Sequence, residues 1–560
     1  MFYLLLILAT ASLVTSSVFS GQVWVSLAGT AWRRLGAIEQ VIILAIAAVV
    51  AARVYADRTT VRPLMLGMES AGALASIYAI LQYAGWDPLI PASVYTLGLP
   101  AAVRPPATLT QATYFATFLL GPISIAAWFR LRETSWRWKR AHEAVLCATI
   151  VALILSGTRA ALVGLVAGAC IFLYSERARF FKGRSLIRAG WIALTGAAVL
   201  MAFVLSPAGT PMRARIAQWT SDRAGGPRLL VWRDSLPLVA QHPLLGIGPE
   251  RFEGEFRRVE SLDLARAFPD YYHESPHNLF LEIAVGQGLI GLVAWVGLLG
   301  YGCWLGIACL RRGETEATPL CAALIAMLIA LQFCPLTLTN ELYVLPLSAT
   351  LVALSAPKIA IEPRRAVPGR IVTASARAAS VGLVFVAWAY AEQATLYDLT
   401  ESRASKRDLA GAERSYEAAR EFPMPGADLA VSQQVATIAQ RSSPPVRVGA
   451  LRLAEQAAEA AELNSADGFN GLYESAMLEV VSGNIHGAET KLREVVDAAP
   501  TWYRPRMALA SVLWWERQNE EAEREADTAL NCAGRMQANV RRTLQAARAQ
   551  AALAAARVSR

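Results

Sequence analysis

Charge is scarce in this chain: 17% of its 560 residues carry one, against roughly 25% in an ordinary soluble protein. A disordered chain has the opposite balance, with high charge and few apolar residues, and is excluded. The seven cysteines make no CxxC or CxxH pair, and six of them (Cys147, Cys170, Cys303, Cys309, Cys321, Cys334) lie in or beside apolar segments. Neither a zinc site nor a disulfide framework is expected from them. No lysine follows a glycine anywhere, which removes the GxxxxGK[ST] phosphate loop. Lysine supplies only five of the 53 basic residues, and there are only five histidines.

Apolar residues make up 55% of the chain and fall into runs long enough to cross roughly 30 Å of hydrocarbon. The runs cover about 2–20, 37–53, 64–85, 111–129, 143–157, 160–174, 189–205, 278–300, 318–334, 341–356 and 371–390. Most are uninterrupted by charge or by matched breaks, which favours chemistry at a membrane face over transport. An all-α polytopic bundle of about eleven spans is expected. The first span has no basic residue before Arg33, so it reads as a retained helix rather than a cleaved leader.

The net charge of +9 divides unevenly: residues 1–390 carry +12 and residues 391–560 carry −3. Nucleic acid is the usual partner of a basic chain, but here the excess sits in short loops between apolar spans. Placing the N-terminus inside puts 19 basic residues in five inside loops: Arg53–Arg62, Arg130–Arg140, Arg177–Arg188, Arg311–Arg312 and Lys358–Arg370. Arg33 and Arg34 are then a mild violation on the outside. This orientation predicts two units. Residues 1–390 form the transmembrane domain with a large periplasmic loop, 206–277, and residues 391–560 form a periplasmic helical domain.

Beyond residue 400 the pattern becomes amphipathic and rich in Ala, Glu and Arg. Ala454, Ala488 and Ala522 recur every 34 residues, as do Ala476 and Ala510, while Pro500 and Gly534 end consecutive units. This register resembles tetratricopeptide repeats; the alternative is an irregular Ala-rich bundle. Either suits an interaction or spacer module, because stacked helix pairs leave a groove for a protein partner.

The loop 206–277 holds nine arginines (Arg213, Arg215, Arg223, Arg228, Arg233, Arg251, Arg257, Arg258, Arg266), nine acidic residues and three of the five histidines. A guanidinium fork grips two phosphate oxygens at once, so the cluster suits a pyrophosphate, although pairing with the acids competes for each arginine. His277-Asn278 opens directly into the next apolar span, where an imidazole can meet a lipid-linked substrate and accept a hydroxyl proton. His273 and His277 with Glu274 have the i, i+4 spacing of a helical metal pair, but Pro276 interrupts any helix there, so no metal is expected.

Four blocks resemble the O-antigen ligases and their polymerase relatives. They are Ser156-Gly157-Thr158-Arg159; Arg228-Leu229-Leu230-Val231-Trp232; His242-Pro243-Leu244-Leu245-Gly246-Ile247-Gly248-Pro249-Glu250-Arg251-Phe252; and His277-Asn278 followed by Gly286-Gln287-Gly288. The similarity runs over about residues 60–355. One block departs, because the asparagines expected after Arg104 are replaced by Ala107-Thr108-Leu109-Thr110-Gln111. The resemblance implies a metal-independent transferase with no cofactor, acting on glycan carried by undecaprenyl pyrophosphate. Arg159 and Arg228 would be phosphate clamps and His277 the base, with Arg104, Arg233, Arg251 and Asn278 as substrate-binding candidates. The implied acceptor is lipid A–core, another glycan unit or a protein hydroxyl. A lipid-linked glycan transporter is the competing class.

Overall fold

The computed structural model describes the chain apart from residues 31–32, 91–102, 181–194, 197, 200, 222–224, 270–271, 358–368, 423–424, 465–467 and 559–560. Residues 189–194, 197 and 200 of the expected span 189–205 lie outside the described residues. So do Asp222, Arg223 and Asp270 of the large loop, and Lys182, Arg184, Arg188, Lys358, Arg364 and Arg365 of the inside loops. Among the described residues every regular element is helical.

Among them, five helices are long and apolar enough to cross a membrane: Ala37–Ala56, Arg58–Tyr83, Ala112–Arg132, Leu279–Arg311 and Leu338–Ser355. Phe2–Val18, Arg159–Ser175 and Ala317–Ala330 are apolar but shorter. The remaining expected spans differ for visible reasons. Trp136–Ser156 opens on Trp-Arg-Trp-Lys-Arg, which dilutes its apolar character. Gly369–Ser405 runs past its apolar stretch as one 37-residue helix and carries the chain from the bundle into the tail.

Ala317–Ala330 sits inside the bundle, packed on Arg159–Ser175 and Ala112–Arg132. A side chain at Gly164 or Gly168 would collide with Ala326 and Ala322 on the facing helix, so small residues let these backbones approach. Lipid is as apolar as leucine, so close packing of this kind is what holds the bundle together. Phe115, Leu119, Leu120, Ile125 and Phe129 of Ala112–Arg132 fill the interior.

Leu279–Arg311 is broken. Gly288 stands within it at φ 65° and ψ −168°, a region in which other residues are strained. Ile247 and Gly248 donate their backbone N–H groups to Val285 O and Gly286 O at 2.9 Å, and Leu289 N–H bonds Pro243 O at 2.8 Å. Ser16 Oγ donates to Gly286 O at 2.9 Å. The Pro-Leu-Leu-Gly-Ile-Gly stretch therefore lies backbone to backbone against the break. A side chain at Gly246 would lie 2.6 Å from Gln287 N, and one at Gly288 would lie 2.7 Å from Leu245 N. Irregular backbone at membrane depth survives only where protein satisfies it. The expectation of spans mostly free of breaks and charge meets exceptions here and at three buried carboxylates: Glu39 in Ala37–Ala56 and Glu341 in Leu338–Ser355, and Glu69, 2.7 Å from His142 Nδ1.

Arg33 and Arg34 join three parts of the chain. Arg33 Nε donates to Glu250 Oε1 at 2.6 Å, and the guanidinium also pairs with Glu282. Arg34 lies over the Tyr390 ring at 4.0 Å and donates to Pro425 O at 2.8 Å. The tail continues as helices from Leu409–Arg420 to Gln537–Val558. Ala454, Ala476, Ala488, Ala510 and Ala522 are each fully buried, as small residues at helix crossings must be.

Candidate functional site

Three helices begin at one place. Thr113 is in the first turn of Ala112–Arg132, Arg159 opens Arg159–Ser175 directly after the Ser-Gly-Thr turn, and Arg228 opens Arg228–Gln241 behind Pro227. They border a cavity of about 300 Å³ lined by Arg104, Thr113, Thr158, Arg159, Arg215 and Arg228, together with Ala160, Val163, Gly225, Leu229, Trp232 and Phe333. The first N–H groups of a helix carry partial positive charge, so helix ends and guanidinium groups act in the same direction. The cavity suits an anion joined to something apolar or ring-shaped.

The arginines reach it in different ways. Arg104 Nε donates to Ser156 O at 3.0 Å, and its Nη2 donates to Thr158 Oγ1 at 3.2 Å. Arg215 Nε donates to Gly157 O at 3.1 Å. Both guanidinium groups thus hold the Ser-Gly-Thr turn that presents Arg159. Arg228 Nη1 donates to Gly225 O at 3.0 Å. Burial, and then the charges of Arg215 and Arg228, push the Arg104 guanidinium down to about 9. An anion in the cavity would relieve that crowding.

His277 adjoins the cavity without lining it. Trp232 Nε1 donates to Pro276 O at 2.8 Å, and Trp232 is one turn beyond Arg228 on the same helix face. His277 adopts φ 52°, and its Nδ1 lies 3.0 Å from Ser275 Oγ, which also accepts its backbone N–H at 3.2 Å. The segment is irregular, so His273 and His277 do not share a helix face. Burial, then Arg228 and Arg33, lower the His277 pKa to about 4. The ring is neutral at physiological pH.

Of the site residues expected from sequence, Arg104, Arg159 and Arg228 come together in the cavity, and His277 stands next to it. Arg104 does so although the block after it departs from the family pattern. Asn278 instead caps Leu279–Arg311, its Oδ1 accepting Leu281 N–H at 3.0 Å. Arg233 binds Asp234 at 2.8 Å and reaches Asp263 at 3.4 Å. Arg251 binds Glu255 at 2.9 Å and also bonds Gln22. None of these three lines the cavity. Arg215 and Phe333 do line it without having been singled out in the sequence. Arg215 was one arginine among nine, and Phe333 lies in an apolar run with nothing local to mark it.

Residues 144–296 match the family described as O-Antigen ligase. That stretch holds the Ser-Gly-Thr-Arg turn, Arg228, Trp232, His277 and the Gly288 break, and is shorter than the 60–355 expected from sequence. A curated O-antigen ligase of Pseudomonas aeruginosa is 29% identical over 147 residues, which is 26% of this chain. The matched stretch spans 30% of that relative's length.

Proposed function

We propose, from the standing of residues 144–296 in the O-antigen ligase family, that this protein is a membrane glycosyltransferase of surface polysaccharide biosynthesis. It takes glycan from undecaprenyl pyrophosphate to an acceptor hydroxyl at the periplasmic face of the bacterial inner membrane. The cavity where Arg104, Arg159, Arg215 and Arg228 meet three helix N-termini beside Trp232 and Phe333 carries the reading.

In the reaction the acceptor oxygen bonds to the anomeric carbon from the face opposite the pyrophosphate. The sugar–oxygen bond to pyrophosphate breaks with its electron pair, and the hydroxyl proton passes to His277. The anomeric carbon is inverted. Negative charge grows on the leaving pyrophosphate, and preplaced cations are worth most at that moment; each such donor supplies on the order of 10²–10³ in rate. With Nδ1–H donated to Ser275 Oγ, the Nε2 lone pair of His277 takes the proton. A base with a pKa near 4 is a weak one. Pyrophosphate bound at Arg228 offsets one of the charges that depress it, so the ring gains basicity when donor is present.

Lipid A–core is the acceptor of the ligase reading; another glycan unit makes the enzyme a polymerase, and a protein hydroxyl makes it an oligosaccharyltransferase. A second reading, a transporter of the lipid-linked glycan, is favoured by the broken Leu279–Arg311 helix and the buried Glu69 and Glu341. Reconstitution in vesicles with undecaprenyl-pyrophosphate glycan and each acceptor class separates the two. Glycosylated acceptor with released undecaprenyl pyrophosphate supports transfer. Donor crossing the bilayer with no product overturns it.

A further inference from the structure

We propose that the C-terminal helices clamp the large outside loop and so set the position of His277, which makes the tail a positioning part of the transfer site rather than a detachable recruiter. The proposal rests on the reading of His277 as the base. On the loop side, Arg257 of Phe252–Val259 holds its guanidinium over the Trp502 ring at 5.8 Å and over the Tyr272 ring at 5.5 Å. Its Nη1 donates to Glu260 Oε2 at 3.0 Å, and the same oxygen accepts from Thr501 Oγ1 at 3.0 Å. Glu260 Oε1 lies 3.8 Å from His273 Nε2, and the His273 ring meets Phe256 edge-on at 5.6 Å. Nearby, Arg266 Nε donates to Asn531 O at 2.8 Å, and Leu262 packs into the apolar core of the tail.

The Glu260 side chain is 2% exposed, so these bonds form out of water, where charge-assisted hydrogen bonds are strong. A continuous line of contacts results. Thr501 and Trp502 hold Glu260 and Arg257; Arg257 lies over Tyr272, Glu260 faces His273, and a few residues further on the chain reaches His277. Pro276, pinned by Trp232 at its carbonyl, stiffens the last step. An irregular segment ending in a left-handed residue has no helical or sheet ladder of its own, so what packs against it decides where the imidazole stands.

The experiment uses the full chain in vesicles. Thr501→Val and Trp502→Ala are expected to lower kcat about tenfold with donor KM unchanged, because the arginine cavity is untouched while the base shifts. In the same variants, amide hydrogen exchange over residues 272–279 is expected to quicken. Thr501→Ser and Trp502→Phe keep the hydroxyl and the ring face and are expected to restore both readouts. Arg452→Ala, an exposed tail position paired only distantly with Glu413 at 3.7 Å, is expected to match wild type. Wild-type kcat and exchange in the Val and Ala variants overturn the clamp, as does failure of the conservative variants to rescue. If the unaltered protein transfers no glycan, the functional reading fails, and the exchange over 272–279 alone decides the clamp.

Discussion

Arg33 and Glu250, 217 residues apart in the sequence, form a buried ion pair, with Nε 2.6 Å from Oε1. Burial opposes both charges. Yet Glu250 and Glu282 hold the Arg33 pKa above its ordinary value, and Arg33 with Thr30 holds that of Glu250 below its own. The arginine that departs from the inside-positive pattern expected from sequence is thus matched by carboxylates far away in sequence. Removing one partner of a buried pair strands the other, at about 3–5 kcal/mol. Glu250→Gln is expected to lower the melting temperature, and Arg33→Met to lower it further, because that change strands both Glu250 and Glu282. Thermal unfolding in detergent measures the order.

Arg228→Lys tests the grip on pyrophosphate. A lysine keeps the charge but loses the fork, so kcat is expected to fall by about 10² or more while the melting temperature stays within a degree or two of wild type. Turnover of the lipid-linked donor by reconstituted protein measures it. Wild-type turnover in this variant removes Arg228 from the clamp.

The pH dependence has a defined sign. His277 accepts a proton only when unprotonated, so activity is present above its pKa and lost below it. In the free protein that limb is expected at about 4, and donor bound at Arg228 is expected to raise it. The acid limb of kcat is therefore expected at higher pH than the acid limb of kcat/KM for the donor. His277→Ala is expected to abolish transfer and both limbs.

Trp232→Phe keeps an aromatic side chain but loses the pyrrole part of the indole, and with it the N–H that holds Pro276 O. The expected result is a fall in kcat of about tenfold with little change in donor KM, read from steady-state kinetics. Equal loss in both parameters points instead to a direct contact between the indole and the donor.

Gly288→Ala adds one methyl group at a backbone conformation that alanine resists, against Leu244 O and Leu245 N. The expected cost is about 1–3 kcal/mol from the backbone alone, with more from the collision. Lower yield of folded protein in the membrane measures it. Gly67→Ala, where an added methyl group meets no atom of the described residues within 4 Å, serves as the comparison.

The helices were legible in the sequence because periodicity and run length are local properties. The described parts of the apolar runs and of the amphipathic tail are helical, and Ala454, Ala488 and Ala522 are buried. Run length was a poorer guide to which helices are long and apolar enough to span. Charge at the start of Trp136–Ser156 and the short reach of Ala317–Ala330 both depart from the simple count. The Gly-Gln-Gly stretch stood out in the sequence as part of a family-like block and not as a broken helix, because the hydrogen bonds that support the break come from residues 243–248.

The sequence by itself determined the class of the protein: a membrane helical chain with an Arg-rich loop and a helical tail. It also determined which residue types were on hand for phosphate and proton chemistry, because composition and motif are written in order along the chain. Which arginines line one cavity was decided by tertiary structure alone. Arg104, Arg159, Arg215 and Arg228 are scattered over more than a hundred positions and meet only because three helices begin at one point. Arg233 and Arg251, equally plausible in the sequence, are held elsewhere by Asp234 and Glu255. A guanidinium takes whichever anion the fold brings within reach, and that distance is not encoded by its neighbours in the chain.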